Sequence, residues 1–308
     1  MMIDTLDLQF LLAIKQHGSL VGAARFLNVT PSAVTQRLQQ LEARLDIHLI
    51  DRTARRLHFT EEGELLCRKG QTLLEQHKAL LEEVMQQHGK LVGSLKINAP
   101  FGFGRKYLTE IIAQYHRLYP QVEVLLKLSE QPLLEEQERF DLILHIGELY
   151  NSNLIVHTIA PNQRFICAAP ALVEYHGIPT SPQDLLSYPS IALQENNEDT
   201  TLWSFEQQGK KQTIRIAPSL SSNDGDVVSS WAKDGLGIIM RSQWDVAEAL
   251  SQGLLIRLLP EWVLPEAPVV ALTHRRKGMP ERVHAFMTLL KQQFSPEPPW
   301  QKVNGKRN

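Results

Sequence analysis

The chain of 308 residues predicts a mixed α/β protein with an all-helical front. Three observations carry that expectation. Residues 19–46 read as two short capped helices around a tight turn, residues 60–88 repeat leucines every seven positions without a proline, and beyond Gly93 short apolar runs alternate with amphipathic helices. A hydrophobic share of 43% over this length is enough for two or more buried cores.

At the front, Ser19 can accept from the free backbone N–H groups that open a helix, and Ala23 and Ala24 give a small surface on which a second helix can close. Asn28-Val29-Thr30 breaks that helix. Thr30 then caps the next one, with Pro31 at its first position, where a fixed φ suits the helix and the missing N–H is not needed. Ala33, Val34, Leu38, Leu41 and Leu45 recur at spacings of three and four and predict the packing face. Ser32, Thr35, Gln36, Arg37, Gln39 and Gln40 fall mainly on the other face, which is rich in groups that bond base edges and phosphates. An ordinary helical hairpin with a solvated polar face shares this pattern. The stretch 49–59 points away from it: two short apolar pieces flank a basic turn, so that Arg52, Arg55 and Arg56 would sit on a wing and meet phosphate or the adjacent minor groove.

The net charge of −2 is unevenly spread. Up to Thr60 there are seven basic residues against five acidic, leaving 25 against 29 for the rest. So small a basic surplus implies that such a domain binds well only when two or more are presented together. Cys67 and Cys167 cannot form a disulfide framework and belong to no C-x-x-C pair, which suits a reducing compartment. The N-terminal residues 1–10 lack a positive leader region and no apolar run approaches bilayer length, so a cytoplasmic protein is expected.

From Thr60 to His88 a long helix is expected, with Leu66, Leu73 and Leu80 in one row and Cys67, Leu74 and Leu81 one step behind. One helix cannot bury both rows alone. A second copy of the same helix is the expected partner, making residues 61–90 a linker and homodimerisation helix, although packing on its own chain would also bury them.

After Gly89 to Gly93 the strand-like runs 95–98, 122–128 and 141–146 alternate with helices, one of them near Gly104 to Tyr119. A second such set opens at Arg164 and includes 237–240, and residues 269–272 with a helix from Glu281 to Phe294 return to the first. Two lobes follow, 91–160 with 269–294 and 161–268, which leaves 295–308 as a flexible, proline-rich and then basic tail.

Residues 19–52 with the following 57–63 closely resemble the N-terminal domain of LysR-type transcriptional regulators. The shared pieces are Ala23, Ala24 and Leu27, then Ala33-Val34-Thr35, Leu41-Glu42, the Asp51-Arg52-Thr53 step and the Thr60-Glu61-Glu62-Gly63 that follows the wing. Leu20 and Ile50 replace phenylalanines usual there, and Pro31-Ser32 stands where Gln-Pro is common. The resemblance implies a winged helix-turn-helix over residues 1–60 that binds double-stranded operator DNA, a homotetramer built from two dimers, and a two-lobed effector-binding body like a periplasmic binding protein. Ser32, Thr35 and Gln36 would then reach base edges, and Arg37, Arg52, Arg55 and Arg56 would mostly hold phosphates. Markers of the body are the run 141–149, Gly177-Ile178-Pro179, Asn223, Gly235, Gly237, Gly253 and Leu255.

In such a body a ligand sits at the strand ends between the lobes. The strand-to-helix loop Pro100-Phe101-Gly102-Phe103 is the best local candidate, since its glycine-rich backbone and the helix start behind it favour an anion, here a small organic acid. The same glycines would equally suit a plain turn. By position, Ser129, Glu130, His145, Gly147, Ser222, Asn223 and Asp224 complete the candidate effector site. No G-x-S-x-G, H-E-x-x-H, P-loop or G-x-G-x-x-G motif is present and the eleven histidines lack ligand spacing, so neither an enzyme nor a bound metal or cofactor is expected. The remaining alternative is a stand-alone small-molecule binding protein whose N-terminal helices only dimerise.

Overall fold

The computed structural model describes residues 3–51, 57–86, 91–130, 139–147, 149, 153–194, 199–274 and 279–302, and it divides into two compact units, Met1–Lys90 and Leu91–Asn308.

The first unit runs α1 (Thr5–His17), α2 (Leu20–Leu27), α3 (Pro31–Leu45), the short antiparallel pair β1 (Ile50–Asp51) and β2 (His58–Phe59), and α4 (Glu61–Gln86). Its breaks follow from capping. The Ser19 hydroxyl accepts from Gly22 N at 3.0 Å, Asn28 closes α2 at a left-handed φ of 55°, and the Thr30 hydroxyl accepts from Ala33 N at 3.3 Å. Phe10, Leu11, Ile14, Ala23, Ala24, Val34, Leu38, Leu41 and Leu49 form the core. The first turns of α4 belong to that core too: Cys67 is buried in it, and a Cβ on Gly70 would fall 2.8 Å from Leu8 Cδ2. The linker therefore does not begin at residue 61 as a separate part. Leu65 near the start of α4 stands exposed, as do Leu73, Leu80, Leu81 and Val84 farther along.

The second unit opens with β3 (Gly93–Pro100), α5 (Phe101–Phe103), a π-helical turn Gly104–Leu108, α6 (Thr109–Leu118), β4 (Val122–Ser129), β5 (Leu142–Ile146) and β6 (Ile155–Ala160). It continues with β7 (Arg164–Ala168), α7 (Pro170–His176), β8 (Ile191–Leu193), β9 (Leu202–Gln207), β10 (Lys210–Arg215), β11 (Leu220–Ser222), α8 (Gly225–Lys233), β12 (Ile239–Ser242), α9 (Gln243–Ser251) and β13 (Ile256–Leu258). Last come β14 (Val269–Thr273), α10 (Glu281–Gln293) and α11 (Pro299–Lys302). One lobe is built on a five-stranded sheet in the order β4-β3-β5-β14-β6, the other on the three-stranded β12-β7-β13 with the smaller ladders β11-β8 and β10-β9 beside it. The helix expected between β4 and β5 falls largely on 131–138, outside the described residues.

Two features depart from the sequence reading. The β9–β10 hairpin turns at Gln208 and Gly209, both at positive φ, the geometry of a tight two-residue turn. The supposed tail is anchored: Trp300 on α11 is buried in the first lobe's core against Phe103, Tyr107 and Phe294, and its Nε1 donates to Pro161 O at 3.1 Å. Residues 303–308 of that tail lie outside the described residues. Among the described residues no helix is long and apolar enough to cross a membrane, and no cluster of His, Cys, Asp and Glu could hold a metal ion.

Candidate functional site

In the first unit α3 presents Ser32, Ala33, Gln36, Gln39 and Gln40 to solvent, while Val34, Leu38 and Leu41 are buried. Ala33 thus lies on the outer face rather than in the packing face expected for it. It shares a flank of the helix with Gln36 and Arg37, three and four positions on, and both of these are exposed. Thr35 is half-buried, and its hydroxyl donates to Pro31 O at 3.0 Å. The Ser32 hydroxyl lies 3.0 Å from that of Thr30.

Arg37 is engaged within the unit, with its side chain 44% exposed. Its guanidinium stacks over the Phe10 ring at 4.6 Å, donates to Leu6 O at 3.0 Å and lies 3.7 Å from the Asp7 carboxylate. Arg44 also pairs with Asp7, at 2.5 Å. Both arginines pin α3 to α1, and Asp7 is at once their partner and part of the capping box of α1. Arg52, Arg55 and Arg56 lie outside the described residues. The sequence reading missed Glu42, which is buried and whose carboxylate accepts from Leu49 N at 2.8 Å and Ile50 N at 3.3 Å, fixing the approach to the wing. It is the acid of the Leu41-Glu42 pair, a charge in a helical apolar face, and that mismatch was its only signal. Gly63 also gains a reason. A Cβ there would meet Leu49 O at 2.2 Å.

In the second unit a crevice of about 160 Å³ is walled by Pro100, Gly102, Glu130 and Ile146 from the first lobe and by Arg164, Ala192, Gly225, Arg241, Ser242 and Trp244 from the second. Pro100, Gly102 and Glu130 are therefore together. Other expected residues are elsewhere. Phe103 is wholly buried in the first lobe's core, and Phe101 lies beside Arg105 instead of in the wall. Ser129 and His145 are buried off the crevice, with the Ser129 hydroxyl donating to Asn98 Oδ1 at 3.1 Å. Strand alternation explains the miss: neighbours along a strand point to opposite faces, so Ile146 reaches the crevice and His145 does not.

Gly147, at φ 109°, sits beside the crevice; a Cβ there would come within 3.1 Å of Arg164 Nη2. Ser222, Asn223 and Asp224 are engaged in holding structure. The Ser222 hydroxyl accepts from Asp224 N, Asn223 Nδ2 donates to Glu130 across the lobes, and Asp224 caps α8 by accepting from Asp226 N at 2.8 Å and Val227 N at 3.3 Å. Burial alone would push the Asp224 carboxyl up, but these bonds and Arg105 hold it below the usual carboxylate range.

The sequence reading missed both crevice arginines. Arg241 is buried and pairs with Asp245 at 2.8 Å, its Nη2 so close over Gly225 that a Cβ there would lie at 2.1 Å. Arg164 has no side-chain hydrogen bond or ion pair among the described residues. The buried Trp244 Nε1, also in the wall, likewise has no partner among them. The two thiols offer no redox chemistry of note, since burial pushes Cys67 up to about 11 and Cys167 up to about 12.

Known proteins match along nearly the whole chain. Residues 6–64 match the family model described as bacterial regulatory helix-turn-helix protein, lysR family, and residues 88–295 match the LysR substrate binding domain. The HTH-type transcriptional activator TtdR of Escherichia coli (strain UTI89) is 34% identical over 256 residues, covering 83% of each chain. The HTH-type transcriptional regulator DmlR of Escherichia coli (strain K12) is 31% identical over 289 residues, covering 94% of each. The full-length structure of the Vibrio cholerae virulence activator AphB superposes with a TM-score of 0.61 at 23% identity, covering 94% of this chain and 98% of that one, a likeness of fold.

Proposed function

Since the chain belongs to the LysR family of transcriptional regulators, a DNA-binding regulator with a small-molecule effector domain, we propose that its effector is a small organic acid held in the crevice between the lobes. The observation that carries this is Arg164: a half-buried cation on the crevice wall without a counterion among the described residues. A buried charge without a partner is costly, and an incoming carboxylate supplies one through charge-assisted hydrogen bonds. The Trp244 indole N–H is a second donor on the same wall. At about 160 Å³ the space lies below the range of pockets for drug-sized ligands, which favours an acid of a few carbons.

On the DNA side, Ser32, Thr35 and Gln36 read base edges from α3, and Arg52, Arg55 and Arg56 hold phosphate from the wing. Dimerisation runs through α4, with its exposed Leu73, Leu80, Leu81 and Val84, and dimers pair into tetramers. The protein acts in the cytoplasm and is not an enzyme.

A thermal-shift series with acetate, malonate and succinate against their neutral amides tests the effector class. Stabilisation by an acid and none by its amide is expected; the reverse would reject an anionic effector. A gel shift on the DNA upstream of the chain's own gene should give a salt-sensitive complex.

A further inference from the structure

We propose that Arg105, Lys106 and Tyr107 are positioning residues that strap the second lobe to the first and so set the width of the effector crevice. All three lie on the π-helical turn Gly104–Leu108, which Phe103 alone separates from the crevice residue Gly102. All three reach the second lobe. Arg105 Nη2 pairs with Asp226 at 2.6 Å and Asp224 at 3.1 Å, at the start of α8. Lys106 Nζ donates to Asp245 O at 3.3 Å and the Tyr107 hydroxyl to Trp244 O at 3.1 Å, both in the first turn of α9. A π-turn spaces successive side chains more closely around the axis than an α-turn, and such turns recur at functional sites. Here it aims three neighbours at one lobe.

The anchors are what tie this strap to the crevice. Gly225, a wall residue, stands between Asp224 and Asp226, and Trp244 is itself a wall residue. Its ring closes on Gly102, where a Cβ would lie 3.1 Å from Trp244 Cη2. The Tyr107 bond thus ends on a wall residue, the Arg105 pairs on the two residues that flank one, and the Lys106 bond on the neighbour of another. The bond from Asn223 to Glu130 spans the lobes at a further point of the wall. Arg105 is part-exposed, so its pair contributes modestly and is sensitive to salt; the Tyr107 bond lies deeper.

The role in setting the crevice rests on the crevice being the effector site, but the strap can be tested without a ligand. Hydrogen exchange of the full-length chain is followed at low and high salt for wild type, Arg105→Gln and Tyr107→Phe. In Arg105→Gln at low salt, amides 224–230 should exchange about two- to fivefold faster, with β3 and β7 unchanged. High salt should bring wild type toward that variant and leave the variant where it was. Exchange equal to wild type in both Arg105→Gln and Tyr107→Phe would overturn the strap. Succinate binding gives the second readout: Arg105→Gln should weaken it severalfold while the unfolding midpoint without acid barely moves. If wild type ignores succinate and every other small acid, the effector reading fails, and the exchange data alone decide the strap.

Discussion

Single residues in the crevice make the sharpest claims. Arg164→Gln removes the one wall cation without a partner among the described residues, so the fold should hold while stabilisation by a responsive acid falls at least about tenfold in concentration, as expected for a hydrogen bond to a charged group. The thermal-shift series measures it, and an undiminished response would remove Arg164 from the site. Gly225→Ala should act on stability instead. Its Cβ would lie 2.1 Å from Arg241 Nη2, and that guanidinium is buried and tied to Asp245, so it cannot swing away freely. A loss of about 1–3 kcal/mol in urea unfolding is expected. The contrast shows what sequence can and cannot disclose at this scale. Pro100 and Gly102 were legible as crevice residues because a glycine after a strand marks a backbone approach, whereas Phe101 and Phe103 of the same loop point elsewhere. His145 was misplaced by one step of strand alternation, and Arg164 was invisible because nothing in the residues around it says which face of β7 meets the other lobe. The pairing of Arg37 with Asp7, thirty positions away, was invisible for the same reason, since only tertiary packing sets it.

Elements were legible where their ends carry chemistry. Ser19, Asn28, Thr30 and Pro31 delimit α2 and α3 by capping alone, and the apolar runs of β3, β4, β5 and β14 fall where the sequence predicts them. What escaped has no periodicity to show. The β9–β10 hairpin rests on a Gln-Gly turn within a polar stretch, and α11 is four residues long in a proline-rich segment. Yet α11 is among the firmest pieces, because Trp300 is 1% exposed and fills the first lobe's aromatic core. Trp300→Ala should cost about 3–5 kcal/mol in the unfolding of the second unit, the usual range for emptying such a site. Urea unfolding followed by far-ultraviolet circular dichroism would register it. A change below about 1 kcal/mol would mean the segment from Ser295 onward behaves as the flexible tail its composition suggests.

For the whole molecule, charge and oligomeric state are one question. Among residues 3–51, Arg37 and Arg44 are spent on Asp7 and Lys15 pairs with Glu64, which leaves Arg25 as the basic side chain with no partner among the described residues. The front surplus of two charges is thus smaller still in effect, and one such unit, even with Arg52, Arg55 and Arg56 counted as proposed, would make few phosphate contacts. Pairing two units on one site turns the second contact set into an intramolecular event and can raise affinity by a hundredfold or more, about the factor linked modules gain. The exposed Leu80 and Leu81 near the end of α4 are the residues to break that pairing without touching either core. Leu80→Glu with Leu81→Glu should leave both units folded, sediment as a smaller species, and lose about a hundredfold in operator affinity. The salt dependence separates this from a local defect: halving the phosphate contacts should halve the slope of log K against log salt, whereas damage to base readout would lower affinity at an unchanged slope. A smaller species that binds operator with wild-type affinity and slope would show that a single front unit suffices, and that the acid residues balancing its arginines do not limit it.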